Sequence, residues 1–179
     1  MENYNWETEQ SHSNNTETMN EFINLPPLRQ PRKVKPKPLP MPQWCKEVYC
    51  QAHEKNFAAE YQIAYNGGHY FKPVMPDCNK SGGLQQAIIK FLLWNGHRAT
   101  RISSAGRKIG DKWIPGTTRK GSADISATIK GRSVMLEVKV NLDTPSPEQL
   151  REQDLERKAG GVYEFVNSFE EFLTIYGKL

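Results

Sequence analysis

Residues 121–140 read GSADISATIKGRSVMLEVKV, and the fold follows from how that stretch pairs with itself. Ile125, Ala127 and Ile129 alternate with Asp124, Ser126 and Thr128, while Val134, Leu136 and Val138 alternate with Ser133, Met135, Glu137 and Lys139. A period of two with one apolar face predicts two half-buried strands, over 124–129 and 133–140. If both apolar sets face one core, the numbers of paired residues must sum to an odd value. A two-residue turn at Lys130-Gly131 then pairs Ile125 with Leu136 and Ala127 with Val134. The same register sets Asp124 directly opposite Glu137, with Cβ atoms about 5 Å apart. Lys139 lies two residues further along that face.

Two facing carboxylates repel unless a cation sits between them. An oxygen-ligated divalent ion such as Mg²⁺ or Mn²⁺ would resolve the conflict, and the lysine could then polarise a water or stabilise a developing oxyanion. That combination suits phosphodiester hydrolysis. An Asp–Glu–Lys cluster on the outer face of a hairpin, with Lys139 merely bridging the acids, fits the spacing equally well.

Outward from the hairpin, Ser81 reads as the cap of a helix to about residue 95, with Leu84, Ala87, Ile88, Phe91 and Leu92 on one face and Gly96 as its stop. Residues 98–103 read as a short strand and 104–120 as a Gly-rich basic loop. Ser146-Pro147-Glu148-Gln149 is a capping box with proline at the first helical position, opening a helix that ends at Gly160-Gly161. Residues 162–166 read as a strand, reached by a parallel crossover. Ser168-Phe169-Glu170-Glu171 reads as a second capping box, before a helix with Phe169, Phe172, Leu173 and Tyr176 inward.

The rest of the chain divides by composition. Apolar residues make up 37%, low enough to leave part of the chain outside a packed core. Residues 1–24 carry five acids and no Lys or Arg, and residues 25–44 carry five basic residues, no acid and seven prolines. Residues 1–44 are therefore expected to form a disordered tail, acidic and then Pro/Lys-rich. Residues 45–80 form an extension with a short helix over 48–61 and a turn at Asn66-Gly67-Gly68, and residues 81–179 the main domain. Cys45, Cys50, His53 and Cys78 invite a zinc reading, but the spacing is not a standard one, and ordinary half-buried cysteines are the alternative. The odd cysteine count, the absence of a secretory leader and the absence of an 18-residue apolar run predict a cytoplasmic protein in a reducing compartment, away from membranes. Residues 101–139 hold nine basic residues against three acids, the footprint of a polyanion-binding surface or of a solvated charged one.

At these residues the chain resembles the PD-(D/E)XK nuclease superfamily and, more narrowly, its VRR-NUC family, in particular the small stand-alone members found in phages and mobile elements. The resemblance rests on Gly121-Ser122-Ala123-Asp124, Glu137-Val138-Lys139, Gln149 and Gly160-Gly161-Val162-Tyr163. Asn95-Gly96-His97, Arg101-Ile102-Ser103 and Gly116-Thr117-Thr118-Arg119-Lys120 flank it, so that it spans about residues 82–173. It implies an α/β restriction-endonuclease-like core, α-β-β-β-α-β, with a mixed central sheet flanked by helices. It implies Asp124, Glu137 and the Val138 carbonyl as ligands of Mg²⁺ or Mn²⁺, Lys139 as the catalytic lysine and Gln149 as a supporting residue. The capping box offers Gln149 an equally good structural role. Relatives often carry a Glu at the start of the first helix; here Gln85 is the candidate there, and Ser81-Gly82-Gly83 supplies no carboxylate.

The function expected is a metal-dependent DNA endonuclease acting on branched or structured DNA, in the manner of a Holliday-junction resolvase, and the resemblance allows a homodimer in a bacterial or phage-infected cell. Arg101, Arg107, Lys108, Arg119 and Lys120 would contact phosphates without reading sequence. Trp113, in the same loop, would anchor it or stack on an unpaired base. The missing helix-1 carboxylate motivates an alternative, a catalytically weakened protein of the same fold that binds DNA or serves as an adaptor.

Overall fold

The computed structural model describes residues 40–102, 107–114, 119–141 and 143–179. The tail expected over 1–44 falls outside the described residues up to residue 39. The remaining chain forms α1 (Gln43–Glu60), α2 (Gln62–Asn66), α3 (Ser81–Trp94), β1 (Arg98–Arg101), β2 (Arg107–Ile109), β3 (Lys112–Ile114), β4 (Ile125–Ile129), β5 (Arg132–Val138), α4 (Pro147–Lys158), β6 (Val162–Val166) and α5 (Phe169–Lys178).

The hairpin register is the one the alternation requires: Ile125 pairs with Leu136 and Ala127 with Val134 across β4 and β5. Lys130 and Gly131 both take positive φ, 49° and 82°, the backbone of a turn whose twist matches that of the strands it joins. β1 adds antiparallel to β4, and β6 parallel to β5 after the α4 crossover, giving a mixed sheet ordered β1-β4-β5-β6. Ile125, Ile129, Val134, Leu136 and Val166 are fully buried on one face of it. There they meet Leu84, Ala87, Ile88 and Leu92 of α3 and Phe169 and Phe172 of α5, in one continuous core. The 3, 4, 7, 8 spacing of the α3 residues accounts for that packing, and Gly96 at φ +76° ends the helix.

The structure departs from expectation in four places. Ser81 is not the cap of α3: Lys80 holds the cap position without a side-chain bond, and Ser81 instead accepts a hydrogen bond from Gln85 Nε2 at 3.1 Å. The second capping box is half made, because Ser168 Oγ accepts from the Glu171 N–H but the Glu171 carboxylate turns to the Asn167 N–H. Within the expected basic loop, β2 and β3 pair as a hairpin around Gly110-Asp111, with Gly110 at φ +60°. Finally, α1 begins at Gln43, inside the stretch assigned to the tail, and sends Cys45, Tyr49 and Ala52 into the main core. Tyr49 stands edge-on to Trp94 and Phe169, with ring centroids 4.9 and 5.7 Å away.

Among the described residues no helix is long and apolar enough to cross a membrane. None of the described His, Cys, Asp or Glu side chains gather in groups of three or more able to hold a metal, so Cys45, Cys50, His53 and Cys78 do not form a zinc site. They are free cysteines, Cys45 fully buried, beside a histidine packed on Trp94 and Tyr70.

Candidate active site

The outer face of the hairpin is exposed at Thr128 and Ser133, near the turn, and covered at its other end, around Glu137. α4 packs on this face, with Glu156 accepting from Ser133 Oγ at 2.7 Å and Gln153 donating to the Tyr163 carbonyl at 3.0 Å. Glu137 is therefore only 5% exposed, and the Lys139 side chain 11%. A cluster wholly on the surface would leave these groups in water, and here Glu137 is withdrawn from it.

Asp124 stands one residue before β4, held from both sides. Its carbonyl accepts from the Ile102 N–H at 2.7 Å, and its Oδ2 accepts from the Val138 N–H at 3.1 Å. The carboxylate thus reaches across to the backbone beside Glu137. Burial pushes the Glu137 carboxyl above the usual range and the Asp124 charge pushes it further; Lys139 pulls it back. Lys139 Nζ lies 3.2 Å from Glu137 Oε1 and 3.3 Å from Asp143 Oδ2, bridging the two acids.

Gln149 makes the cap and also reaches Glu137. Its Oε1 accepts from the Ser146 N–H at 2.8 Å, and its own N–H donates to Ser146 Oγ at 3.3 Å, completing the capping box. With the oxygen so engaged, the amide has only Nε2 left to face the sheet, and it donates to Glu137 Oε1. The cap that starts α4 therefore also orients the carboxylate. Gln85 is 3% exposed on α3, and its Oε1 is buried with no hydrogen-bond partner among the described residues. No hydrogen bond joins it to Asp124, Glu137 or Lys139.

The basic residues are partly brought to this edge. Arg119 and Lys120 are exposed on the turn that leads into Gly121 and Asp124, and Arg119 pairs with Glu152 of α4 at 3.3 Å. Arg101 is exposed at the end of β1. Arg107 and Lys108 fall on β2, and their side chains and that of Trp113 lie outside the description. A cleft of about 750 Å³ opens on the far side of Lys139, with Asn141, Asp143, Glu170 and Glu171 in its wall. Asp124 and Glu137 do not line it, and three acids make that wall a poor seat for phosphates.

These motifs can now be set beside known proteins. The chain is similar to a solved structure described as "VRR_NUC domain". The likeness covers 51% of this chain and 87% of that one at 26% identity, with a TM-score of 0.39. It carries the family name that the sequence motifs resemble. No family model and no curated protein matches the chain.

Two residues that the structure brings to this cluster carried no assigned role in the sequence: Asp143, which pairs with Lys139, and Tyr163, quoted only within Gly160-Gly161-Val162-Tyr163. Asp143 is legible only as an acid four residues after Lys139, and Tyr163 as an aromatic in a strand.

The buried carboxyl has a measurable consequence. Because Glu137 titrates higher in the folded than in the unfolded chain, its contribution is present at low pH and lost as pH rises through the folded value. At neutral pH the charged group counts against the metal-free fold. Glu137→Gln is expected to melt about 2–5 °C higher than the parent at pH 7 in chelator. The gain should shrink to nothing toward about pH 4. A pH-independent difference would contradict the burial argument.

Proposed function

We propose that this protein is a divalent-metal-dependent DNA endonuclease. The observation that carries the reading is a carboxylate in the sheet interior, Glu137, with a second carboxylate beside it and a lysine on its own oxygen. Setting a half-buried carboxylate beside a buried one is costly without a cation to share, and among the described residues Lys139 pairs with Glu137 but no cation pairs with Asp124.

The donor set fits a hard ion such as Mg²⁺ or Mn²⁺: all oxygen, two carboxylates, and the Val138 carbonyl on the same strand. Asp124, Glu137 and the Val138 carbonyl would hold it. Once bound, such an ion supplies Lewis acidity at a phosphoryl oxygen and a more acidic water. The protein's own groups do the rest. Gln149 fixes which Glu137 oxygen is turned toward α4. Lys139 has three donors, of which Glu137 and Asp143 take two; the third is free to orient a water or to meet charge developing on the phosphate. Arg101, Arg119 and Lys120 border the site and would hold flanking phosphates, so that affinity should fall with salt. Arg107 and Lys108 extend this surface in the proposal. The preferred substrate is branched DNA such as a four-way junction, with a homodimer presenting two sites.

The second reading is a fold-retaining DNA-binding or adaptor protein of weakened activity. It is motivated by the neutral Gln85 on α3, where no carboxylate is supplied.

Cleavage of a four-way junction, a flap and a linear duplex in Mg²⁺, in Mn²⁺ and in chelator separates the two. Metal-dependent cutting is expected, fastest on the junction. Binding without cutting under every metal would remove the enzyme and leave the second reading.

A further inference from the structure

Tyr163 lies on β6, opposite Met135 in the parallel ladder, and is 2% exposed. Phe165, two residues on, pairs with Glu137, so the phenol shares the face that carries Glu137. The hydroxyl donates to the carbonyl of Gly121 at 3.1 Å, joining residues 42 apart in sequence. At its other end Tyr163 is clamped by α4, whose Gln153 and Arg157 donate to its carbonyl at 3.0 and 3.4 Å.

Gly121 is itself tightly seated. It takes φ +87°, and a Cβ there would stand 2.5 Å from the Glu148 carbonyl oxygen and 3.0 Å from the Gln149 nitrogen. The turn thus lies flat on the first turn of α4, the same turn whose Gln149 orients Glu137. From Gly121 the chain runs through Ser122 and the buried Ala123 into Asp124, whose carboxylate takes the Val138 N–H.

We infer that Tyr163 is a positioning residue: through the Gly121 carbonyl, its hydroxyl holds the turn on α4 and so places the Asp124 carboxylate beside Glu137. One helical turn then sets both acids, Glu137 through the Gln149 amide and Asp124 through Gly121. The arrangement needs a donor at Tyr163 at every working pH. Burial and the neighbouring Glu137 and Asp124 charges hold the phenol above its usual value, and so keep the proton on it. Without the hydroxyl, the Gly121 carbonyl must find water, which requires the turn to lift from the helix. The inference deepens the nuclease reading, since it matters for activity only if Asp124 and Glu137 share an ion.

The test is Tyr163→Phe in the full chain, which keeps the ring and removes the donor. The Val138 amide reports the Asp124 contact directly by hydrogen exchange, whatever the activity. It is expected to exchange about tenfold faster in the variant, while the amides of Val134 and Leu136 stay protected. The Mn²⁺ concentration for half-maximal cleavage should rise about tenfold, with kcat nearly restored at saturating Mn²⁺. Asp124→Ala, which leaves no side-chain acceptor, serves as the control that moves the Val138 amide. An unmoved Val138 amide in Tyr163→Phe overturns the inference, and so does equal acceleration of Val134, Leu136 and Val138, which marks a purely structural loss. A moved Val138 amide in a protein that never cuts DNA would instead leave Tyr163 in its role and remove the nuclease.

Discussion

Glu137→Ala is expected to lose metal-dependent cleavage by a factor of about 10³ or more, while DNA binding measured in chelator stays within about twofold of the parent. An ion at such a site contributes several kcal/mol of charge stabilisation to the transition state, and each 1.36 kcal/mol is a factor of about ten in rate. Removing Glu137 takes away one of two carboxylates and frees the Gln149 amide and the Lys139 ammonium together. Lys139 keeps Asp143 as a partner, so no buried cation is stranded and the fold should hold. Rates on the preferred substrate with saturating Mn²⁺, with a melt in parallel, decide the matter. A variant retaining more than about a tenth of the parent rate would show that Glu137 is not a ligand.

Gly121→Ala is expected to damage both stability and activity. An L-residue at φ +87° is strained by about 1–2 kcal/mol, and the contact with the Glu148 carbonyl must be relieved by moving backbone rather than a flexible side chain. Together these predict a fall in Tm of about 5–10 °C for a chain of this size. Any relief carries the turn away from α4 and takes Asp124 with it. A displacement of about 1 Å at a reacting centre costs on the order of 10²-fold in rate, so cleavage should fall by that factor even well below the new Tm. Gly131 provides the comparison: it also has positive φ, 82°, but nothing lies within 4 Å of its Cβ position. Gly131→Ala should therefore destabilise through strain alone and leave the rate of the folded protein intact. An equal loss of activity in both variants would mean that the Gly121 contact does not position the site.

Much of the fold was legible because its signals are short-range. Alternation along 124–138 and the turn at Lys130-Gly131 fix the pairing, since a slip by one residue would move every apolar side chain to the wrong face. Leu84 to Leu92 carry the helical stripe that docks on that face, and Ser146 to Gln149 carry their own cap. The β2–β3 hairpin was hidden because its strands span three residues each, too short for alternation to show. α1 was placed late for a related reason: only Cys45, Tyr49 and Ala52 of its eighteen residues are buried, a narrow stripe that composition does not reveal.

The candidate site divides along the same line. Sequence by itself determined that Asp124 and Glu137 oppose each other and that Lys139 follows on the same face, because strand geometry repeats every two residues. It left open whether that face meets water or protein. Only the tertiary structure decided that, by laying α4 over the part that carries Glu137 and leaving Thr128 and Ser133 exposed. The helix has no buried residue of its own and makes its contacts through Gln149, Gln153, Glu156 and Arg157, polar side chains whose partners lie on other strands. Polar contacts of that kind leave no hydrophobic period to read. The same holds for Tyr163 and Gly121, whose meeting depends on how the crossover returns the chain to the sheet.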